Sequence, residues 1–107
     1  MVDPRDPNLA ILRDRLPREA DLEAGIAEAN RLVQAWHIEV EGILPGATYC
    51  LVVGGRDKQG TDVVLRLPMY DYDEALEALH TQIAYSGTGG VEILNHDLPT
   101  ACTAWWR

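Results

Sequence analysis

The apolar residues of this chain change their spacing abruptly at His37. Before it, they recur at three- and four-residue intervals: Leu22, Ile26, Ala29, Leu32, Val33 and Trp36. After it, Ile38 and Val40 alternate with Glu39 and Glu41. The first spacing predicts a helix with one buried face, and the second predicts a half-buried strand. We therefore expect a leading helix over residues 19–36 that runs directly into a sheet.

Four further strands are predicted, over residues 49–53, 62–67, 91–94 and 101–106. Residues 44–48 and 95–99 are interpreted as turns, and residues 54–60 as a glycine-bounded hairpin loop. The fold class that follows is α+β, with a five-stranded antiparallel sheet whose first three strands form a meander.

One more helix is expected between the third and fourth strands. Asp71 or Asp73 is placed to cap it, and it extends to about Tyr85. Its apolar side is predicted to consist of Ala75, Leu76, Leu79 and Ile83.

A length of 107 residues fits one domain. We expect that domain to occupy residues 19–107. Residues 1–18, with three prolines, are predicted to form a flexible leader containing a short helix that ends at Pro17.

Nine basic and seventeen acidic residues give a net charge of −8, which argues against a nucleic-acid partner and is compatible with a cationic one. The two cysteines, Cys50 and Cys102, are expected to be reduced and buried. No apolar run approaches the ~20 residues that span a bilayer, so we expect a cytoplasmic protein without a signal peptide or membrane contact.

Several strings, taken in order, resemble the aminoglycoside phosphotransferases, in particular the streptomycin 6-kinase branch of that protein-kinase-like family. They are LPREADLEAGIAEANRLVQAWHIEVEG, GTDVVLRLP, DEALEALHTQIAYSGTGGVEILNHD and TACTAWWR. The resemblance covers roughly residues 16–107 and implies the small N-terminal lobe of a kinase. That lobe has a five-stranded antiparallel sheet with one helix inserted between its third and fourth strands.

The resemblance also implies a nucleotide site. Arg66 matches the basic residue of the third strand that contacts nucleotide phosphates, usually Lys in the family. Either Glu74 or Glu77 matches the helix glutamate that pairs with it. Gly46 and Thr48 lie in the loop that would cover the phosphates, and Trp105 lies near the hinge that contacts adenine. ATP is the implied cofactor, with Mg²⁺ held only when a C-terminal lobe is present.

The sequence has no catalytic HGDxxxxN motif, because His96-Asp97 lacks the intervening Gly and the following Asn. We interpret Asp97 as a turn residue that makes a local hydrogen bond. The chain is therefore expected to be a truncated lobe, inactive alone, whose complete enzyme would transfer phosphate from ATP to an aminoglycoside hydroxyl.

The alternative is a non-catalytic module derived from a kinase small lobe. In that case an acidic surface and the terminal Trp105-Trp106 pair would bind a partner, or the exposed lobe face would self-associate.

Overall fold

A computed structural model describes residues 1–45, 49–86 and 92–106. The helices are α1 (Ala10–Arg15), which follows a 3₁₀ turn at Pro7–Leu9, α2 (Glu19–Ala35) and α3 (Tyr72–Tyr85). The strands are β1 (Glu39–Ile43), β2 (Cys50–Arg56), β3 (Asp62–Pro68), β4 (Ile93–Asp97) and β5 (Cys102–Trp106). They form one antiparallel sheet in the order β1-β2-β3-β5-β4. The predicted α+β class, the five-stranded antiparallel sheet and the meander of the first three strands are confirmed.

Helix α2 packs its apolar stripe against one face of the sheet. Glu19 and Asp21 occupy its first turn, where carboxylates interact favourably with the helix dipole. Leu22, Ile26 and Ala29 pack in one cluster with sheet residues that include Leu51 and Leu65. The helix ends at the expected place, because the next residues turn away and His37 takes a left-handed conformation with φ of 55°.

The hairpin between β2 and β3 is shorter than predicted. Gly54 and Gly55 belong to β2 rather than to the loop, and pair with Val64 and Val63. At Gly55 a Cβ would collide with the carbonyl oxygen of Glu39 and lie 2.8 Å from Cγ2 of Ile38. Here glycine permits the close approach of β1, so it does not mark a turn.

The true hairpin turn follows Arg56. Oδ1 of Asp57 accepts hydrogen bonds from the backbone N–H groups of Gln59 and Thr61, each at 2.9 Å. Gly60 has a φ of +82°, a conformation that side chains disfavour.

Strand β4 lies later in the sequence than predicted. It includes Asn95, His96 and Asp97, which were predicted to form a turn, while Val91 lies outside the described residues. The reason is that β4 is an edge strand with exposed Asn95 and His96, so its composition is as polar as that of a turn. The turn begins at Leu98. The expected local bond is confirmed, since Oγ1 and N of Thr100 donate to Oδ2 of Asp97 at 2.6 and 3.2 Å.

Helix α3 begins at the predicted cap. Oδ1 of Asp71 accepts hydrogen bonds from the N–H groups of Asp73 and Glu74, at 2.9 and 3.2 Å. Ala75 and Leu79 are buried against Ala101, as an apolar stripe requires. Ile83 was expected in the same stripe but is 38% exposed, because the buried residues of α3 end at Leu79, six residues before the end of the helix.

The first residues of the chain contribute to the main core. Val2, Leu9 and Leu12 are buried in the cluster formed by α2 and the sheet. Two side-chain bonds join this segment to β1: Nδ2 of Asn8 donates to the Ile43 carbonyl at 2.8 Å, and the Ile43 N–H donates to Asp6 Oδ2 at 3.1 Å.

Cys50 and Cys102 are free and buried, as expected. Burial raises the pKa of the Cys102 thiol far above its usual range, and the nearby Asp97 carboxylate raises it further. Among the described residues, no helix has the length and apolar character needed to cross a bilayer.

Candidate functional site

The two faces of the sheet differ in what packs on them. One face carries Leu51, Val53, Leu65 and Cys102, which pack with α2. Because side chains alternate along a strand, the residues between these point to the other side. We name that side the distal face and define it by Val52, Val64, Arg66, His96, Thr103 and Trp105. Directly opposed residues share a face, and the strand register places these six together.

Arg66 is the cation of the distal face. It is half-buried, and among the described residues no carboxylate forms an ion pair with it. Arg56 in the neighbouring strand, by contrast, lies 3.6 Å from Glu41 and 3.5 Å from Asp62. An unpaired, half-buried guanidinium in a chain of net charge −8 is unusual, because acidic residues are abundant.

The guanidinium lies close to the thiol of Cys50. Burial raises the pKa of that thiol, and the charge and hydrogen bonding of Arg66 partly offset the increase. A neutral thiol is a weak acceptor, so it leaves most of the five N–H donors of an arginine available.

Thr103 is the direct cross-strand partner of Arg66. Its side chain is 1% exposed. Within the described part of the chain its Oγ1 is buried without a hydrogen-bond partner. Such a group costs about 1–3 kcal/mol, so a buried hydroxyl without a partner calls for an explanation, of which a bound ligand is one.

His96 and Trp105 complete the surroundings. His96 opposes Thr103 from the edge strand, so Arg66, Thr103 and His96 form one row across three strands. Cβ atoms of direct partners lie roughly 4.5–5.5 Å apart. Trp105 opposes Val64 and is half-buried, one diagonal step from Arg66. Its neighbour Trp106 points to the other side and is 48% exposed.

The two candidate glutamates, Glu74 and Glu77, lie on α3 and do not pair with Arg66. Both are exposed, and neither forms an ion pair with it. Glu77 lies two residues from both Ala75 and Leu79, which places it opposite the buried stripe of α3. Glu74 lies on the flank of the helix, so it is the better placed of the two to approach the sheet.

Two further candidates, Gly46 and Thr48, lie outside the described residues. In the ranges that are described, no three His, Cys, Asp or Glu side chains cluster closely enough to hold a metal ion.

The row of Arg66, Thr103 and His96 presents a guanidinium, a hydroxyl and an imidazole. Together these groups can donate hydrogen bonds to an oxyanion. Thr103 and His96 were not predicted as site residues. Their relation to Arg66 depends on the pairing of β3, β5 and β4, which residue spacing along the chain does not reveal. No family model, curated protein or solved structure matches this chain.

Proposed function

We propose that this chain is a nucleotide-binding lobe of a kinase-like phosphotransferase, with its phosphate site on the distal face at Arg66. The observation that carries the proposal is the pairing of an uncompensated guanidinium with the unpartnered hydroxyl of Thr103. The element order supports it, because α3 is inserted between the third and fourth strands of a five-stranded antiparallel sheet.

An oxyanion would satisfy both groups. Arginine presents a planar fork that binds two phosphate oxygens at once. Arg66 is half-buried and directly opposes Thr103, so its outward movement would uncover the Thr103 hydroxyl, which is buried in the free protein. The uncovered hydroxyl then donates to a phosphate oxygen, and His96 adds a donor at the edge strand. Trp105 offers an aromatic surface on which a nucleobase stacks.

Binding and orientation are the tasks of this lobe. ATP supplies the phosphoryl group when bound, and Arg66 and Thr103 hold its phosphates. Transfer to an aminoglycoside hydroxyl needs a base and metal ligands from a second lobe. The proposal places the protein in the cytoplasm, where ATP is available and thiols such as Cys50 stay reduced.

Thermal unfolding with increasing ATP tests nucleotide binding. A ligand at 100 times its Kd stabilises a folded protein by about 2.7 kcal/mol. We expect the midpoint of unfolding to rise with ATP and to respond less to adenosine. Arg66→Ala should abolish most of that rise, whereas Arg56→Ala, the same change in the adjacent strand, should not.

Thr103→Val provides the sharper test, because its two expected effects have opposite signs. The change replaces an unsatisfied buried hydroxyl with a methyl group of similar size, which should stabilise the free protein. It should at the same time weaken ATP binding. If ATP leaves the midpoint unchanged, or Arg66→Ala binds ATP normally, the nucleotide proposal is wrong and the non-catalytic module is favoured. The isolated chain should release no ADP when streptomycin is added.

A further inference from the structure

A cavity of about 290 Å³ lies between α2 and the segment that joins β3 to α3. It shares no residue with the row of Arg66, Thr103 and His96, and it opens beside the opposite face of the sheet. Its volume is at the lower end of the range of small-molecule sites, roughly 300–1,000 Å³. A ligand of about ten heavy atoms, or one long side chain, would fill it.

At the cavity, Met69 packs directly against the backbone of α2 at Gly25. A Cβ there would collide with the terminal methyl group of Met69 and lie 2.7 Å from its sulfur. Met69 is held in place by its own N–H, which donates to the carbonyl of Tyr49 at 2.8 Å. The thioether of Met69 therefore gives this part of the lining an apolar surface.

Two tyrosines form the wall on the α3 side. The Tyr72 hydroxyl donates to the carbonyl of Leu98 at 2.6 Å, which fixes the ring at the rim. Tyr70 is half-buried and packs against Ala75 and Leu79. Tyrosine rings attract cations through their negative π faces.

Two carboxylates line the cavity from α2. Asp21 and Glu28 are seven residues apart, which is two helical turns or about 10 Å on the same face. Each pairs with an arginine: Arg18 with Asp21 at 3.0 Å, and Arg31 with Glu28 at 2.8 Å. These pairs are substantially exposed, so they are weak, and each carboxylate retains free lone pairs. Arg31 also reaches Asp97 at 3.4 Å, and Asp97 in turn accepts hydrogen bonds from Thr100, another residue that lines the cavity.

We propose that this cavity binds an organic cation with an aliphatic body, in the form of an alkylammonium or alkylguanidinium group. The thioether and small apolar residues accept the hydrocarbon part, and Asp21, Glu28 and the tyrosine rings accept the charge. An anion would be repelled by the lining carboxylates and by the net charge of −8. A neutral ligand of the same shape would gain nothing from them.

Calorimetric titration of the full chain with 1,6-diaminohexane and with 1,6-hexanediol tests the charge requirement. The two probes share a hydrocarbon body and differ in the ammonium groups. We expect the diamine to bind and the diol to bind at least about tenfold more weakly. N-acetyllysine amide serves as a third probe. Comparison of its affinity with that of the diamine shows whether the cavity prefers a free organic cation or a lysine side chain of a protein. Binding of either probe supports the proposed cation site.

Variants then locate the binding. The double change Asp21→Asn and Glu28→Gln should weaken the diamine about tenfold. Glu23→Gln, which removes an exposed charge from the same helix outside the cavity, should leave it unchanged. Gly25→Ala should displace the end of Met69 into the cavity and weaken every probe with no change of charge. Alanine is also the better helix former, which favours retention of the fold.

The proposal is overturned if the diol binds as tightly as the diamine, or if Glu23→Gln weakens binding as much as the double change does. Absence of diamine binding overturns it as well. None of these outcomes bears on ATP binding at Arg66, because the two sites share no residue.

Discussion

Gly54 and Gly55 are adjacent in β2, yet their surroundings differ. At Gly55 the space that a side chain would need is occupied by the backbone of Glu39. At Gly54 it is occupied by the side chain of Leu44, whose Cδ2 would lie 3.1 Å from an added Cβ. Backbone in a paired strand cannot move without breaking hydrogen bonds, whereas a half-buried leucine can change rotamer. The two glycines therefore differ in whether they can be replaced.

We expect Gly55→Ala to lower the free energy of unfolding by about 1–3 kcal/mol, the usual cost of overpacking. Gly54→Ala should change it by less than about 1 kcal/mol, because the steric cost is partly offset by the smaller entropy of the unfolded chain. Urea-induced unfolding of both variants measures the difference. A loss at Gly54 equal to that at Gly55 would contradict the close approach of β1.

At the scale of the element, α3 is the helix with the fewest buried residues for its length. Of its fourteen residues only Ala75 and Leu79 are buried. Local capping therefore matters more to α3 than to α2, which buries six residues. The capping carboxylate of Asp71 satisfies two N–H groups that lack helical partners.

Asp71→Ala should destabilise α3 by about 1 kcal/mol, the typical value for loss of a cap. Hydrogen exchange of the α3 amides should accelerate, while that of β2 and β3 should remain slow. Asp71→Asn is the control, because asparagine caps a helix comparably. If Asp71→Asn destabilised α3 as much as Asp71→Ala does, the negative charge at the helix terminus would be responsible for the stabilisation, and the capping hydrogen bonds would not.

The helices and strands differ in how well the sequence predicted them. Helix α2, strand β3 and the cap of α3 were predictable because their apolar spacing or capping residue is local. Strand β4 was misplaced because an edge strand exposes polar residues such as Asn95 and His96, which also suit a turn. Arg66 as a site residue remains a prediction, made from a resemblance along the chain. The proximity of Thr103 and His96 to Arg66 could not be predicted, because it depends on long-range strand pairing.

For the whole molecule, the main core is built from distant parts of the chain. Val2, Leu9 and Leu12 contact a cluster that also contains residues of α2 and of strands β1, β2, β3 and β5. The side-chain hydrogen bonds that join the leading segment to this body include Val2 N–H to Asn30 Oδ1 at 2.8 Å and the two bonds to Ile43. Residues that share one core are expected to unfold together in a small domain.

Leu12→Ala tests this expectation, because Leu12 is 3% exposed whereas its neighbour Ile11 is 48% exposed. Truncation of a buried leucine costs about 2–5 kcal/mol. That is a large part of the roughly 5–15 kcal/mol that stabilises a typical domain. Ile11→Ala, with the same class of change on the outer side of α1, should cost less than about 0.5 kcal/mol.

Two spectroscopic probes show whether Leu12→Ala destabilises the whole molecule or the leading segment alone. In Leu12→Ala, the unfolding transitions measured by helical circular dichroism and by tryptophan fluorescence should both shift to lower urea concentrations. Their midpoints should coincide. Trp36 packs against the same core and Trp105 lies on the distal face, so fluorescence reports on both sides of the sheet. An early step in circular dichroism that leaves the fluorescence unchanged would mean that the leading segment detaches alone. Coincident midpoints would mean that residues near the N-terminus stabilise the sheet that carries Arg66.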